Sequence, residues 1–269
     1  MAFRRILIPT DFSTASEWVF DDAVRIAGSS GGELLILHVR MTWASKPDKL
    51  RFPADPSLYD YVEQHELDLL RDRVIRANAA LSTRLIVRQA PNPAAEICRT
   101  AREEKADLIV IATHARHLVT HLFVGSTTMS VIHDPPAPVL SIRYGIPKRT
   151  ALSRIVVPVD LTQTSRPAID LAYEVGTEVH IVAVCSEADH VETGNLVQRL
   201  AAATPGARTL VTRGKHPQEE IIRYANSVDA DAIFLNAPSA VATSQSEIEI
   251  IRHAAVPVMV VPEASSVPS

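Results

Sequence analysis

Two short polar segments in the first half of the chain have residue types that could bind a charged organic ligand. The first is Pro9, Thr10 and Asp11, which follow an apolar run. The Asp11 carboxylate could accept hydrogen bonds from a ribose or from the edge of a base. It could equally cap a following helix, a role that Ser13 or Thr14 could share. The residues alone leave these two interpretations open.

The second segment is basic, and it ends in a glycine followed by two hydroxyl residues. Gly125, Ser126 and Thr127 are typical of the start of a helix, where backbone N–H groups and the helix dipole favour an anion. The two hydroxyls could add donors, and His114 and Arg116 would add positive charge nearby. The alternative is a plain helix cap, because a single Gly-Ser-Thr sequence is weak evidence for a phosphate site.

Histidines in the same segment have a spacing that could suit a metal ion. His114, His117 and His121 could lie on one side of a helix and bind zinc together with His133 or Asp134. A basic loop that faces phosphate or solvent explains the same residues. That second interpretation is the stronger one, so no metal site is predicted.

The sequence lacks the motifs of the common hydrolases and NTPases. The sequence has neither a Gly-x-Ser-x-Gly elbow nor a lysine-bearing phosphate loop, so the usual hydrolase and NTPase mechanisms are not expected. No nucleophile with an adjacent base is evident, and no catalytic residue is predicted. Cys98 and Cys185 have no motif spacing and are expected to be buried thiols in a reducing cytoplasm.

The composition narrows the possible partners. With 27 basic and 31 acidic residues, a net charge of -4 and 5% aromatic residues, the chain is not expected to bind nucleic acid. The apolar runs are strand-sized, so no membrane segment is expected. The first apolar run stops at Pro9, which argues against a signal peptide. We therefore expect a cytoplasmic protein.

The chain repeats itself. Three segments of the first half recur in the same order in the second half, which indicates duplication. The segment from Tyr144 to Thr150 is typical of a linker, and it predicts an N-terminal domain at 1–146 and a C-terminal domain at 151–264. The matching pairs are 5–13 with 154–162, 92–112 with 216–236, and 137–142 with 256–261.

The sequence pattern of each half predicts an α/β domain. Near-continuous apolar runs are typical of parallel strands buried on both faces, and helical patterns alternate with them. The prediction is two tandem doubly wound, Rossmann-like domains, each an open five-stranded parallel sheet flanked by helices. The predicted strands are 6–8, 34–39, 83–87, 108–111 and 139–142, then 155–158, 180–184, 208–212, 232–235 and 257–261. The predicted helices include 16–28, 61–81, 93–105 and 194–203. Ligands bind such sheets at the carboxyl ends of the strands.

These features together resemble a tandem universal stress protein, over nearly the whole chain. The resemblance rests on Pro9 with Asp11, on Leu37, His38 and Val39, on 106–110 and on 138–140. It implies a five-stranded α/β fold, and many members bind ATP through Gly, two residues, Gly, nine residues, then Gly-Ser or Gly-Thr. Adenine would then lie near Asp11 and the Val39 backbone, and phosphates at the glycine loop.

The resemblance also implies how the halves assemble. The last strands of this family often pair across a two-fold axis. Here 139–142 and 258–261 would pair within the chain as an internal pseudo-dimer, which would cover two sheet edges. The sequence leaves open whether two chains also form a homodimer.

This sequence departs from the family motif. Positions 112, 115 and 125 keep its spacing, but the first two are Ala112 and Ala115. A β-carbon in a left-handed conformation costs about 1–2 kcal/mol. If both alanines needed that conformation, affinity would fall roughly thirtyfold to several hundredfold. If they adopt ordinary dihedral angles, the loss is small.

The second half departs further. Asp160 is present, but no glycine follows the fourth strand, where 236–246 forms a shorter segment. The sequence therefore predicts a nucleotide site in the first half alone, and a second half that supports it or binds partners.

The resemblance implies a stress-response sensor or adaptor that binds ATP with Mg²⁺ and hydrolyses it slowly, if at all. One alternative is an interaction scaffold that binds no nucleotide but only protein partners, which the sequence does not identify. Another is a metal-binding module built on the histidines.

Overall fold

The computed structural model describes residues 3–41, 56–113, 125–149, 151–159, 166–185, 193–237 and 245–263. Within these ranges strands and helices alternate, as the sequence predicts. The strands are β1 (Arg5–Thr10), β2 (Glu33–Met41), β3 (Ser82–Ala90), β4 (Leu108–Ala112), β5 (Val139–Ile142), β6 (Arg154–Val159), β7 (Glu178–Cys185), β8 (Arg208–Arg213), β9 (Ala232–Asn236) and β10 (Val258–Val261). The helices are α1 (Thr14–Ser30), α2 (Pro56–Ala77), α3 (Pro93–Glu103), α4 (Ser126–His133), α5 (Arg166–Val175), α6 (Thr193–Ala203), α7 (Pro217–Ser227) and α8 (Gln245–His253).

The strands form one continuous sheet in the order β3-β2-β1-β4-β5-β10-β9-β6-β7-β8. Each half contributes five parallel strands, and the halves meet where β5 and β10 pair antiparallel. Met259 lies opposite Leu140 there, and the Ser141 hydroxyl donates to the Val258 carbonyl at 3.2 Å. The predicted pairing of the two last strands is thereby confirmed, and it removes two apolar strand edges from solvent.

The core lies in two layers, one on each face of the sheet. Alternate side chains of β1 show the division: Ile6 and Ile8 pack with α1 and α2, whereas Leu7 packs with α3 and α4. Each layer also contains residues of the second half, for example Phe234 in the first layer and Ile233 in the second. The two halves therefore share their hydrophobic core across the β5–β10 pair.

Two local predictions were wrong. β3 is not buried on both faces, because it is an edge strand, and Val87 is exposed while Ile86 is buried. The second helix ends at Ala77 and not at Leu81. There the Asn78 side chain accepts a hydrogen bond from the Ala80 N–H at 3.1 Å and turns the chain away from the helix.

The expectation that both cysteines are buried thiols is confirmed. Both cysteines are buried and free. The segment before β2 is a helix cap, because Gly31 has a φ of 62° and its N–H bonds to the carbonyls of Ala27 and Gly28. Among the described residues, no helix is both long enough and apolar enough to cross a bilayer.

Candidate functional site

The carboxyl ends of three neighbouring strands bring the predicted site residues together. β1 lies between β2 and β4, and all three run parallel. Asp11 follows β1, Val39 lies near the end of β2, and Ala112 ends β4. Since β2 pairs with β1 only as far as His38, the Val39 residue lies in the part of β2 that extends past β1.

Asp11 is exposed and does not cap α1. Its Oδ1 accepts a hydrogen bond from the Ser13 N–H at 3.1 Å, within the turn itself. The cap of α1 is Ser13, whose hydroxyl accepts from the Ser16 N–H at 3.3 Å. Of the two interpretations of Asp11, the N-cap is therefore wrong, and its exposed side chain lies just after the carboxyl end of β1.

The turn that carries Asp11 has an unusual backbone. Phe12 has a φ of 56°, a left-handed conformation that a residue with a β-carbon adopts at a cost of about 1–2 kcal/mol. The Phe12 N–H donates to the Thr10 hydroxyl at 3.1 Å, and that hydroxyl also lies 3.2 Å from the Ser16 hydroxyl. Thr10 is buried, so its hydroxyl stabilises the turn from the interior side.

A histidine of β2 supports the same turn. The His38 ring stacks on Phe12 with ring centroids 4.4 Å apart, and its Nδ1 lies 3.0 Å from the Thr10 carbonyl. On its other side, His38 Nε2 is 3.5 Å from Glu63 of α2. Arg40 binds both oxygens of that carboxylate, at 2.9 and 2.8 Å.

Sequence analysis missed this support. A histidine at the end of an apolar strand was one signal. A second was Glu63, which precedes Leu67, Leu70 and Val74 on the buried face of α2. A carboxylate on such a face needs a charged partner.

The predicted anion-binding end of the site lies between β4 and α4. Ala112 has an ordinary negative φ, because it is not among the residues in the left-handed region. Its carbonyl accepts from the Thr128 hydroxyl of α4 at 2.7 Å. The strain that the sequence allowed at position 112 is therefore absent.

Gly125 stands at the N-cap of α4 and gives that helix no side-chain cap. Its φ is -58°, and a β-carbon added there would meet nothing within 4 Å in the described part of the chain. Neither backbone conformation nor local crowding thus requires glycine. Ser126, which is exposed, and Thr127 begin the helix. Their N–H groups form the kind of helix start that suits an anion.

Several predicted residues fall outside the described ranges. They are His114, Ala115 and Arg116 of the site, His117 and His121 of the metal alternative, and Asp160 of the second half. Their roles stay predictions. His133 and Asp134 are described, and both are exposed at the end of α4.

The equivalent positions of the second half carry different chemistry. Strand register places Val159 where the first half has Thr10, and Ala183 where it has His38. Asn236 ends β9 at the position that Ala112 holds in β4. Its side-chain oxygen accepts from the Ala168 N–H near the start of α5, at 2.9 Å.

A strongly shifted carboxyl lies at the opposite, amino edge of the sheet. Hydrogen bonds from Arg154, then from His180, hold the pKa of Glu178 at about 2, well below its usual range. His180 is almost fully buried and lies 2.7 Å from the Tyr224 hydroxyl. This cluster stabilises the start of β7 and lies away from the candidate site.

Comparisons with known proteins agree with this architecture. A sequence model described as the universal stress protein family matches residues 2–143. A Thermus aquaticus protein named "Universal stress protein in QAH/OAS sulfhydrylase 3'region" is 32% identical over 145 residues, which cover 52% of this chain and 99% of the relative.

Two solved structures match across both halves. A universal stress protein from Archaeoglobus fulgidus has a TM-score of 0.72 at 22% identity, over 96% of this chain and 97% of that one. A functionally unknown protein from Pseudomonas aeruginosa has a TM-score of 0.67 at 15% identity, over 97% and 93% of the two chains. These two structural matches show the fold. The match to the family model and the sequence relative show the family as well. The chain belongs to the universal stress protein family.

Proposed function

We propose that the first half of the chain binds an adenine nucleotide, ATP with Mg²⁺, at the carboxyl ends of β1, β2 and β4. The protein would act as a cytoplasmic sensor or adaptor in stress response. Asp11 and the Val39 backbone would contact adenosine. Ala112, Gly125, Ser126 and Thr127 would contact the phosphates, together with His114, Ala115 and Arg116. Pro9 and Thr10 would contribute through the turn that they form.

Gly125 is the observation that carries this proposal. Glycine serves where φ is positive, where neighbours leave no room for a β-carbon, or where backbone approaches a ligand closely. The first two reasons do not apply here, since φ is -58° and, among the described residues, the space around the missing β-carbon is open. A helix start beside Ala112 without a side-chain cap fits the third reason, as well as the general preference for glycine at an N-cap.

Rapid hydrolysis is not part of the proposal. Among the described residues of the site, Asp11 is the one carboxylate that follows a strand end, and it is assigned to adenosine and not to the phosphates. Because this assignment leaves no carboxylate base beside the phosphates, hydrolysis would be slow.

Calorimetric titration of Mg-ATP into the nucleotide-free chain tests the proposal. We expect a stoichiometry near one, lost in Asp11→Ala and kept in Asp160→Ala, the matched position of the second half. Two equivalent sites would contradict the assignment to the first half. No binding at millimolar ATP would reject the nucleotide proposal.

The second half suggests the alternative, a scaffold without nucleotide. The Asn236 side chain already accepts a hydrogen bond from the Ala168 N–H in the first turn of α5. That N–H group is therefore not available as a donor to a ligand. If the first half had also lost its ligand, ATP would leave the melting temperature of the chain unchanged. A sensor predicts a rise that grows with ATP concentration.

A further inference from the structure

The turn between β1 and α1 holds a conformation that does not form on its own. Phe12 is left-handed at a φ of 56°, and nothing about a phenylalanine favours that region. The surrounding structure has to offset this cost. The turn also sets the position of Asp11, whose Oδ1 bonds to the Ser13 N–H.

His38 makes the contacts that offset the cost. The Thr10 carbonyl can only accept, so His38 Nδ1 carries the proton and donates across 3.0 Å. The same ring stacks on Phe12, with the two planes 28° apart. One buried side chain, 6% exposed, therefore contacts both the Thr10 carbonyl before the turn and the ring of the left-handed residue.

An ion pair lies beside the other edge of the ring. Glu63, also 6% exposed, lies 3.5 Å from His38 Nε2. Arg40 holds that carboxylate with two hydrogen bonds and also contacts Asp60 at 3.0 Å. Within the described ranges Nε2 makes no hydrogen bond, so the position of the ring depends on its contacts with Thr10 and Phe12.

The second half folds without this arrangement. Val159 and Ala183 occupy the positions of Thr10 and His38, yet β6 and β7 pair over the same six-residue length as β1 and β2. Pairing of the two strands thus does not require the histidine. Its contacts serve the turn of the first half.

We propose that His38 is a positioning residue, which holds the turn of residues 10–13 in the shape that presents Asp11 to the ligand. The consequence for affinity rests on the proposed function. The consequence for the turn does not, because it concerns the protein without nucleotide.

The test uses three variants of the full chain. His38→Phe keeps an aromatic ring against Phe12 and removes the donor to Thr10. His38→Asn keeps a short-range donor and removes the ring. His180→Phe is the matched control, since it removes an equally buried histidine from the second half.

Amide hydrogen exchange of Phe12 and Ser13, without nucleotide, reports the turn directly, because both N–H groups bond inside it. We expect His38→Phe to raise their exchange rates roughly two- to tenfold, the range that follows from the loss of one hydrogen bond. His38→Asn should exchange more slowly than His38→Phe, and His180→Phe should match the wild type at these amides. Unchanged exchange in His38→Phe would overturn the proposal.

Titration with Mg-ATP supplies the second measurement. We expect His38→Phe to weaken binding by roughly two- to tenfold, with partial recovery in His38→Asn. Faster exchange with wild-type affinity would overturn the link between the turn and the site. Faster exchange in a protein that binds no nucleotide even as wild type would support the positioning role and reject the proposed function.

If His38→Phe does not fold, His38→Asn tests the same idea, because it removes the ring that stacks on Phe12. Faster exchange of Phe12 and Ser13 would support the proposal, and unchanged exchange would overturn it.

Discussion

Ala112→Gly separates two explanations of how this chain departs from its family motif. Position 112 is the first of the two motif glycines that are alanine here. In the structure it is the last residue of β4, paired with Ile142 and outside the left-handed region. Glycine at this position would relieve no strain. It would only add freedom to the unfolded chain, at a cost of about 0.5–1 kcal/mol.

The two explanations predict different affinities. If position 112 stays in the strand when nucleotide binds, Ala112→Gly should change the affinity for Mg-ATP by less than about twofold. If the bound form needed a left-handed residue there, glycine would recover about 1–2 kcal/mol, which is roughly five- to thirtyfold in affinity. Calorimetry of both proteins distinguishes these values.

Urea unfolding supplies the second measurement and its control. Ala112→Gly should lower the free energy of unfolding by about 0.5–1 kcal/mol. Ala183→Gly, in β7 and away from the first-half site, should lower it by at least as much without any change in affinity. A fivefold gain in affinity for Ala112→Gly alone would refute the argument from the strand geometry.

Four further substitutions have definite expectations. Asn236→Ala should lower the free energy of unfolding by about 0.5–2 kcal/mol in urea, because the Ala168 N–H loses its side-chain acceptor, and it should leave Mg-ATP affinity unchanged. Asp107→Ala and Asp231→Ala should each cost about 1–3 kcal/mol in the same assay, since each carboxylate accepts two backbone N–H groups at the start of a half, at 2.8 to 2.9 Å. Glu178 has a folded pKa of about 2, below its unfolded value, so its contribution is present above about pH 4.3 and is lost as pH falls toward 2. The difference in melting temperature between wild type and Glu178→Gln should therefore shrink across that window, and a constant difference would contradict the assignment.

The strands were predictable because parallel, buried strands leave a strong signal. The bounds of β5 match the prediction, and β4 differs by one residue. The pairing of β5 with β10 was implied by the family resemblance, and its register became known only from the structure. Edge strands are harder, because Leu85, Ile86 and Val87 give the same apolar signal whether or not a helix covers both faces.

The candidate site was predictable only where its residues follow strands. Asp11, Val39 and Gly125 could be placed at one edge because parallel strands end together. The contact between His38 and Glu63 could not, since it depends on how α2 crosses the sheet. Hydrophobic periodicity tells which face of a helix is buried, but not which side chain of the strand it meets.

The positions at which the two halves differ explain how the second half could lose a ligand site and still keep the fold. The contacts at the start of each half are alike. The Asp107 carboxylate accepts from the backbone N–H of Arg5, and the Asp231 carboxylate accepts from the backbone N–H of Arg154, both at the amino edge of the sheet. The differences lie at the carboxyl edge, where Asn236 replaces Ala112. Because the two edges are separated by the length of a strand and the core lies between them, substitution at the carboxyl edge leaves strand pairing intact. The shared sheet then lets the second half stabilise the first, whether or not it binds a ligand itself.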